Sequence, residues 1–133
     1  MARDISVKIG KDRYKTEIHV DQHVVLSDEP EDVGGTDLGP SPTELLMSSL
    51  GTCKAITVRM YADRKQWALD GVDIHVSIGA QEGELQKTTF IKCHIRLYGD
   101  LDEMQKKRLF QIAEKCPVHK ILSNPIVIES NLI

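Results

Sequence analysis

No apolar run in this 133-residue chain approaches the roughly 18 residues that a spanning helix needs, and the opening Met-Ala-Arg-Asp-Ile-Ser lacks the apolar centre of a secretory leader. Neither a membrane partner nor export is expected, and the expected compartment is the cytoplasm. Basic blocks are missing as well: 17 Lys and Arg stand against 20 Asp and Glu, a net charge of −3, with no run able to grip phosphates. Nucleic acid is therefore not an expected partner. Cysteine is scarce, and its three positions have no short, regular spacing, which excludes the disulfide scaffold of small secreted domains. Internal repeats and low-complexity tracts are absent too. What remains is an ordinary globular composition, 41% hydrophobic and 28% charged. A chain of this length has room for one core, so a single domain over 1–133 is expected.

Ile5, Val7 and Ile9 alternate with Ser6 and Lys8, the period-two pattern of a half-buried strand. After a turn at residues 10–13, Tyr14, Thr16, Ile18 and Val20 continue it, and residues 23–26 supply a third strand. Residues 27–41 are rich in Asp, Glu, Gly and Pro and read as a long loop, with Asp28, Glu29 and Pro30 as turn formers and Gly34-Gly35 as flexible backbone. Ser41-Pro42-Thr43-Glu44 has the form of a capping box and opens a helix over about 42–65. Its first half, 45–55, is small or apolar apart from Lys54, so that half is expected to be enclosed by protein on most sides.

Alternation returns over 72–78 and about 90–97, with Gly83 in the turn of this second hairpin. A cap at 100–103 opens an amphipathic helix ending near Lys115. Pro117 starts a short helix to Leu122, and 125–133 closes the chain as a strand. The order β-β-β, α, β-β, α, β is that of an α+β fold around one buried helix. So little chain cannot wrap that helix alone, and a homodimer is expected.

Two cysteines carry the candidate chemistry. Cys53 lies mid-helix among Ser48, Ser49, Gly51, Thr52 and Ala55, whose small side chains leave space for a small reactant. A buried thiol there can equally be inert packing. Cys116 precedes Pro117 at a helix start, where a thiolate is favoured and nucleophilic or redox roles arise; with His119 it could also form half of a metal site, though no second ligand pair matches and no metal is expected. Cys93 reads as core. Glu44 is explained first by its capping box, Arg59 by an ion pair, and His19, His23, His75 and His94 as surface or edge residues of strands.

The segments Gly39-Pro40-Ser41-Pro42-Thr43-Glu44-Leu45-Leu46, Leu50-Gly51-Thr52-Cys53 and Cys116-Pro117-Val118-His119-Lys120-Ile121-Leu122 resemble the osmotically induced protein C and organic hydroperoxide resistance (OsmC/Ohr) family, in a divergent OsmC-like branch. The resemblance implies antiparallel sheets around a long central helix in an intertwined dimer. It also implies a cofactor-free, thiol-dependent peroxidase for organic hydroperoxides, with Cys53 as peroxidatic thiolate, Cys116 as resolving thiol and an external dithiol as reductant. Leu46, Leu50 and Met60 would line its apolar pocket. The family's peroxidases place Glu directly after the Pro of this motif to hold an activating Arg. Here Thr43 occupies that position and Glu44 follows it, and the hairpin candidate for the Arg is Arg13. The loop 27–41 is expected to border the site and to bring His23 or Glu29 to it. The competing readings are a non-catalytic protein that binds a small apolar molecule or senses redox state, and a purely structural set of three packed thiols.

Overall fold

In the computed structural model, which describes residues 3–82 and 87–133, the first alternating segments become an antiparallel sheet of order β1-β2-β3, with β1 Ser6–Ile9, β2 Thr16–Val20 and β3 His23–Ser27. Val20 pairs with His23, so the second hairpin has a two-residue turn, and Asp21 takes the left-handed conformation such a turn requires (φ 51°). The second strand starts at Thr16 rather than Tyr14. Arg13 has φ 44°, and the Thr16 hydroxyl donates to the Tyr14 carbonyl at 2.9 Å, which keeps Tyr14 in the turn.

The loop after β3 is built around a buried carboxylate. Asp28 accepts hydrogen bonds from Glu29 N (2.7 Å), the Thr36 hydroxyl (2.6 Å), Thr36 N (3.4 Å) and Leu38 N (3.2 Å). Asp28 is thus an anchor rather than a mere turn former. Gly34 and Gly35 are not slack backbone either: Gly34 ends a 3-10 turn at φ 97°, and a Cβ on Gly35 would collide with the Glu29 carbonyl.

Helix α1 spans Pro42–Lys65, as the capping box predicts. Glu44 N donates to Ser41 Oγ (3.3 Å) and Ser41 N to Glu44 Oε1 (2.8 Å). The helix stops in a Schellman motif: Gln66 turns left-handed (φ 58°), and Gln66 N and Trp67 N return to the Asp63 and Ala62 carbonyls. Its buried residues are Leu50, Lys54, Val58 and Ala62, one stripe at every fourth position. The expected enclosure on most sides is not met within one chain, because Leu46, Ile56 and Met60 remain exposed.

Strands β4 (Leu69–Glu82) and β5 (Lys87–Gly99) form a two-stranded antiparallel sheet longer than the apolar alternation suggests, with Ile74 opposite Ile95 and Val76 opposite Cys93. Gly83 lies outside the described residues. A Cβ on Gly51 would stand 3.1 Å from Val76 Cγ2, so a glycine lets α1 approach β4 closely. Helix α2 (Glu103–Ala113) is capped by Asp102, whose carboxylate accepts from Gln105 N at 2.7 Å, two positions beyond the expected start of the cap. Helix α3 spans Pro117–Ser123. Val58, Ala62, Leu69, Leu101, Leu109 and Ala113 form the core, with Tyr61, Trp67, Val72, Ile95 and Leu97 against it.

Residues 125–133 are not a strand. A strand needs a hydrogen-bonding neighbour, none of the described strands pairs with this segment, and its Val127 and Ile128 are exposed. By their internal packing the residues form two compact units, Met1–Leu46 and Met47–Ile133. Among the described residues no helix is long and apolar enough to cross a membrane.

The Asp28 cradle makes stability pH-dependent. The Thr36 hydroxyl, against the opposing effect of burial and together with the N–H groups of Glu29, Leu38 and Thr36, holds the Asp28 carboxyl below its ordinary value. A depressed folded value stabilises fully above the unfolded value of about 3.9 and is lost as pH falls through the folded one. The urea midpoint should therefore fall steeply below about pH 4. Asp28→Asn should lower the midpoint at neutral pH and flatten its acid dependence; equal acid slopes in the two proteins would refute the role.

Candidate active site

The chain breaks at the end of α2, where Pro117 suits the first position of a new helix and Cys116 becomes its N-cap. The Cys116 sulfur does the work of a capping oxygen, accepting the His119 N–H at 3.3 Å. Cys116 is fully buried, and the Cys53 thiol lies within hydrogen-bonding reach of it. Both are free thiols. The fold therefore brings together two cysteines that stand 63 positions apart in sequence.

Next to Cys53 on α1 is Lys54, only 2% exposed. Its Nζ donates to the Ala113 carbonyl at 3.0 Å and to Glu114 Oε2 at 3.2 Å, and lies 2.8 Å from His119 Nδ1. An ammonium has three protons and no lone pair, so the three acceptors satisfy it completely. His119 Nδ1 also stands 3.1 Å from Glu114 Oε2, so it accepts from the ammonium in one tautomer and donates to the carboxylate in the other. The imidazole belongs to this network, and its backbone N–H rather than its ring meets the Cys116 sulfur.

A cavity of about 290 Å³ opens beside this cluster, walled by Leu50, Lys54, Ile91, Cys93, Glu114 and His119. Cys93 is thus a cavity residue as well as a half-buried one. Burial pushes its thiol up, Lys54 pulls it down and Glu114 pushes it up again. The Cys116 thiol is raised chiefly by burial; the His119 N–H lowers it, the Cys53 thiol raises it, and the Lys54 charge lowers it.

The other candidates have partners within their own segments of chain. Arg13 donates to the Gly34 carbonyl at 3.3 Å. Glu44 is engaged by Ser41, whose backbone N–H and hydroxyl hold its carboxyl below the ordinary value. Thr43 is exposed in the first turn of α1. His23 is exposed, with Nε2 3.4 Å from Gln22 Nε2, and Glu29 lends its N–H to Asp28 and its carbonyl to Asp37 N. Arg59 forms the expected ion pair with Asp63 (3.2 Å) and also donates to the Leu69 carbonyl at 2.8 Å. Of the expected pocket residues, Leu50 lines the cavity, whereas Leu46 and Met60 are exposed. His75 and His94 face each other across β4 and β5 with ring centres 6.4 Å apart.

Lys54, Glu114 and the cavity position of Cys93 are not found by reading motifs. The available signal is Lys54 itself, the one charge within an apolar helical stretch, which is where a buried and partnered ion is expected.

Solved structures share this architecture. An OsmC-like protein from Mycoplasma pneumoniae superposes with a TM-score of 0.76 at 20% identity, covering 92% of this chain and 88% of its own. A candidate osmotic stress induced and detoxification response protein from Psychrobacter arcticus 273-4 gives 0.73 at 23% identity over 88% and 85%. An organic hydroperoxide resistance protein OsmC from Legionella pneumophila gives 0.66 at 18% identity over 92% and 90%. No curated protein matches. These likenesses establish an α+β fold of OsmC type, with antiparallel sheets and helices. The sequence profile of OsmC-like proteins matches residues 34–131, a stretch containing Cys53, Lys54 and Cys116, and on that match the chain belongs to the OsmC-like protein family.

Proposed function

We propose that this protein reduces organic hydroperoxides through Cys53 and Cys116, without a cofactor and at the expense of an external dithiol. The carrying observation is the hydrogen-bonding proximity of the two free thiols at a buried corner. In the first step the Cys53 thiolate attacks the peroxide: an S–O bond forms, the O–O bond breaks, and the alkoxide takes a proton and leaves as alcohol. The Cys116 sulfur then displaces hydroxide from the sulfenic acid to close a disulfide, which the dithiol reduces. Some structural neighbours are named organic hydroperoxide resistance proteins, in keeping with this reading.

The working unit in this reading is a homodimer, whose second copy covers the part of α1 that one chain leaves open. Ile56 and Met60 are 48% and 65% exposed, and Val127 and Ile128 are above 80%. Apolar surface of this extent on one helix and an unpaired extended tail favours association.

Purified wild type should consume cumene hydroperoxide with excess dithiothreitol, faster than it consumes hydrogen peroxide. Cys53→Ser should abolish turnover, and Cys116→Ser should oxidise once and stall at a sulfenic acid that dimedone traps. Full multiple turnover by Cys53→Ser would refute the assignment. Failure of wild type to turn over, combined with thermal stabilisation by a small apolar molecule, would favour the binding reading instead, for which burial of Cys116 is the supporting observation. Light scattering should give twice the chain mass, and Met60→Asp should shift the equilibrium toward monomer; a monomeric wild type would overturn the dimer.

A further inference from the structure

Lys54 follows Cys53 in the chain and reaches both flanks of Cys116. Its Nζ holds the Ala113 carbonyl, three residues before Cys116, and His119 Nδ1, three residues after it, at 3.0 and 2.8 Å. The second flank is itself tied to the sulfur, because the His119 N–H donates to Cys116 Sγ. One buried side chain therefore fastens the corner between α2 and α3 to the turn of α1 that carries Cys53.

An ammonium is a demanding choice for this task. Removing it from water is strongly unfavourable before its partners compensate, and an apolar side chain of similar length would fill the same helical position without that requirement. Its anionic partner among the described residues, Glu114, is 46% exposed at its side chain, so part of that negative charge is spent on solvent. The titratable groups around the corner are Cys53 and Lys54 on α1, Glu114 and Lys115 between α2 and α3, His119 and Lys120 on α3 and Cys93 on β5. Of its three lysines Lys54 is buried, whereas Lys115 and Lys120 are exposed.

We infer that Lys54 is the positioning residue of the thiol pair: it clamps the Cys116 corner against α1, and its charge favours the Cys116 thiolate in the step that closes the disulfide. This rests on the peroxidase reading for its place in the cycle. The Cys116 thiolate attacks the sulfur of Cys53 sulfenic acid, formed by the organic hydroperoxide. The S–S bond forms as the S–O bond breaks, and the departing hydroxide takes up the proton that Cys116 released and leaves as water.

The test separates charge from packing. In a Cys53→Ser, Cys93→Ser background, ultraviolet thiolate absorbance during a pH titration reports Cys116 alone. Adding Lys54→Met should raise its midpoint by about one pH unit, and Lys54→Gln, which keeps a donor for the Ala113 carbonyl, should do the same if Lys54→Met fails to fold. Lys54→Arg should stay close to the lysine protein. In the otherwise wild-type protein, the smaller thiolate fraction, partly offset by the greater nucleophilicity of a more basic thiol, should prolong the sulfenic acid about threefold in dimedone trapping. Equal midpoints with and without the charge, in folded variants, would overturn the assignment. A displaced midpoint in a protein that consumes no hydroperoxide would support it while overturning the peroxidase reading.

Discussion

The site depends on one buried ammonium and its three acceptors. Lys54 sits on the inner stripe of α1 with Leu50, Val58 and Ala62, positions that otherwise bury carbon. With its partners removed, burial at that position would be strongly unfavourable; with the Ala113 carbonyl, Glu114 and His119 in place, it becomes a fixed point. The corner between α2 and α3 is held on one side by the packing of Leu109, Ile112 and Ala113 and on the other by these polar contacts. Its helices are short, and α3 contributes no fully buried residue. Polar geometry and core packing together set the location of Cys116.

The N-terminal unit solves a similar problem with the opposite charge. Asp28 is buried and satisfied by backbone N–H groups and one hydroxyl, so a loop of polar and turn-forming residues acquires a defined course without an apolar core. In both units a single ion organises chain that hydrophobic packing alone would leave underdetermined.

Much of this was legible from the sequence. Period-two alternation gave the strands, and the Ser41 and Glu44 box with the proline between them gave the start of α1 at the correct residue. Cys116-Pro117 marked a helix boundary because a proline there removes a donor that has no intrahelical acceptor. The motif segments gave the family. Features fixed by tertiary partners stayed hidden. Alternation read apolar faces and missed the polar ends of β4 and β5, which ladder hydrogen bonds extend. The apolar tail over 125–133 looked like a strand because side-chain pattern says nothing about whether a neighbouring strand is available. Asp28 looked like a turn residue because local chemistry cannot distinguish an exposed carboxylate from one enclosed by its own loop. Lys54 was visible only as an exception.

The capping role of Cys116 ties covalent state to local order. A thiolate accepts the His119 N–H more strongly than a neutral sulfur does, and a disulfide sulfur carries no charge with which to hold it. Oxidation to the proposed disulfide would therefore weaken the first hydrogen bond of α3 while adding a covalent tether one residue before its first turn. By reciprocity, whatever steadies that turn also biases the redox equilibrium of the sulfur that caps it. In the proposed cycle the short helix would be a thermodynamic counterweight to the oxidation state of its own cap.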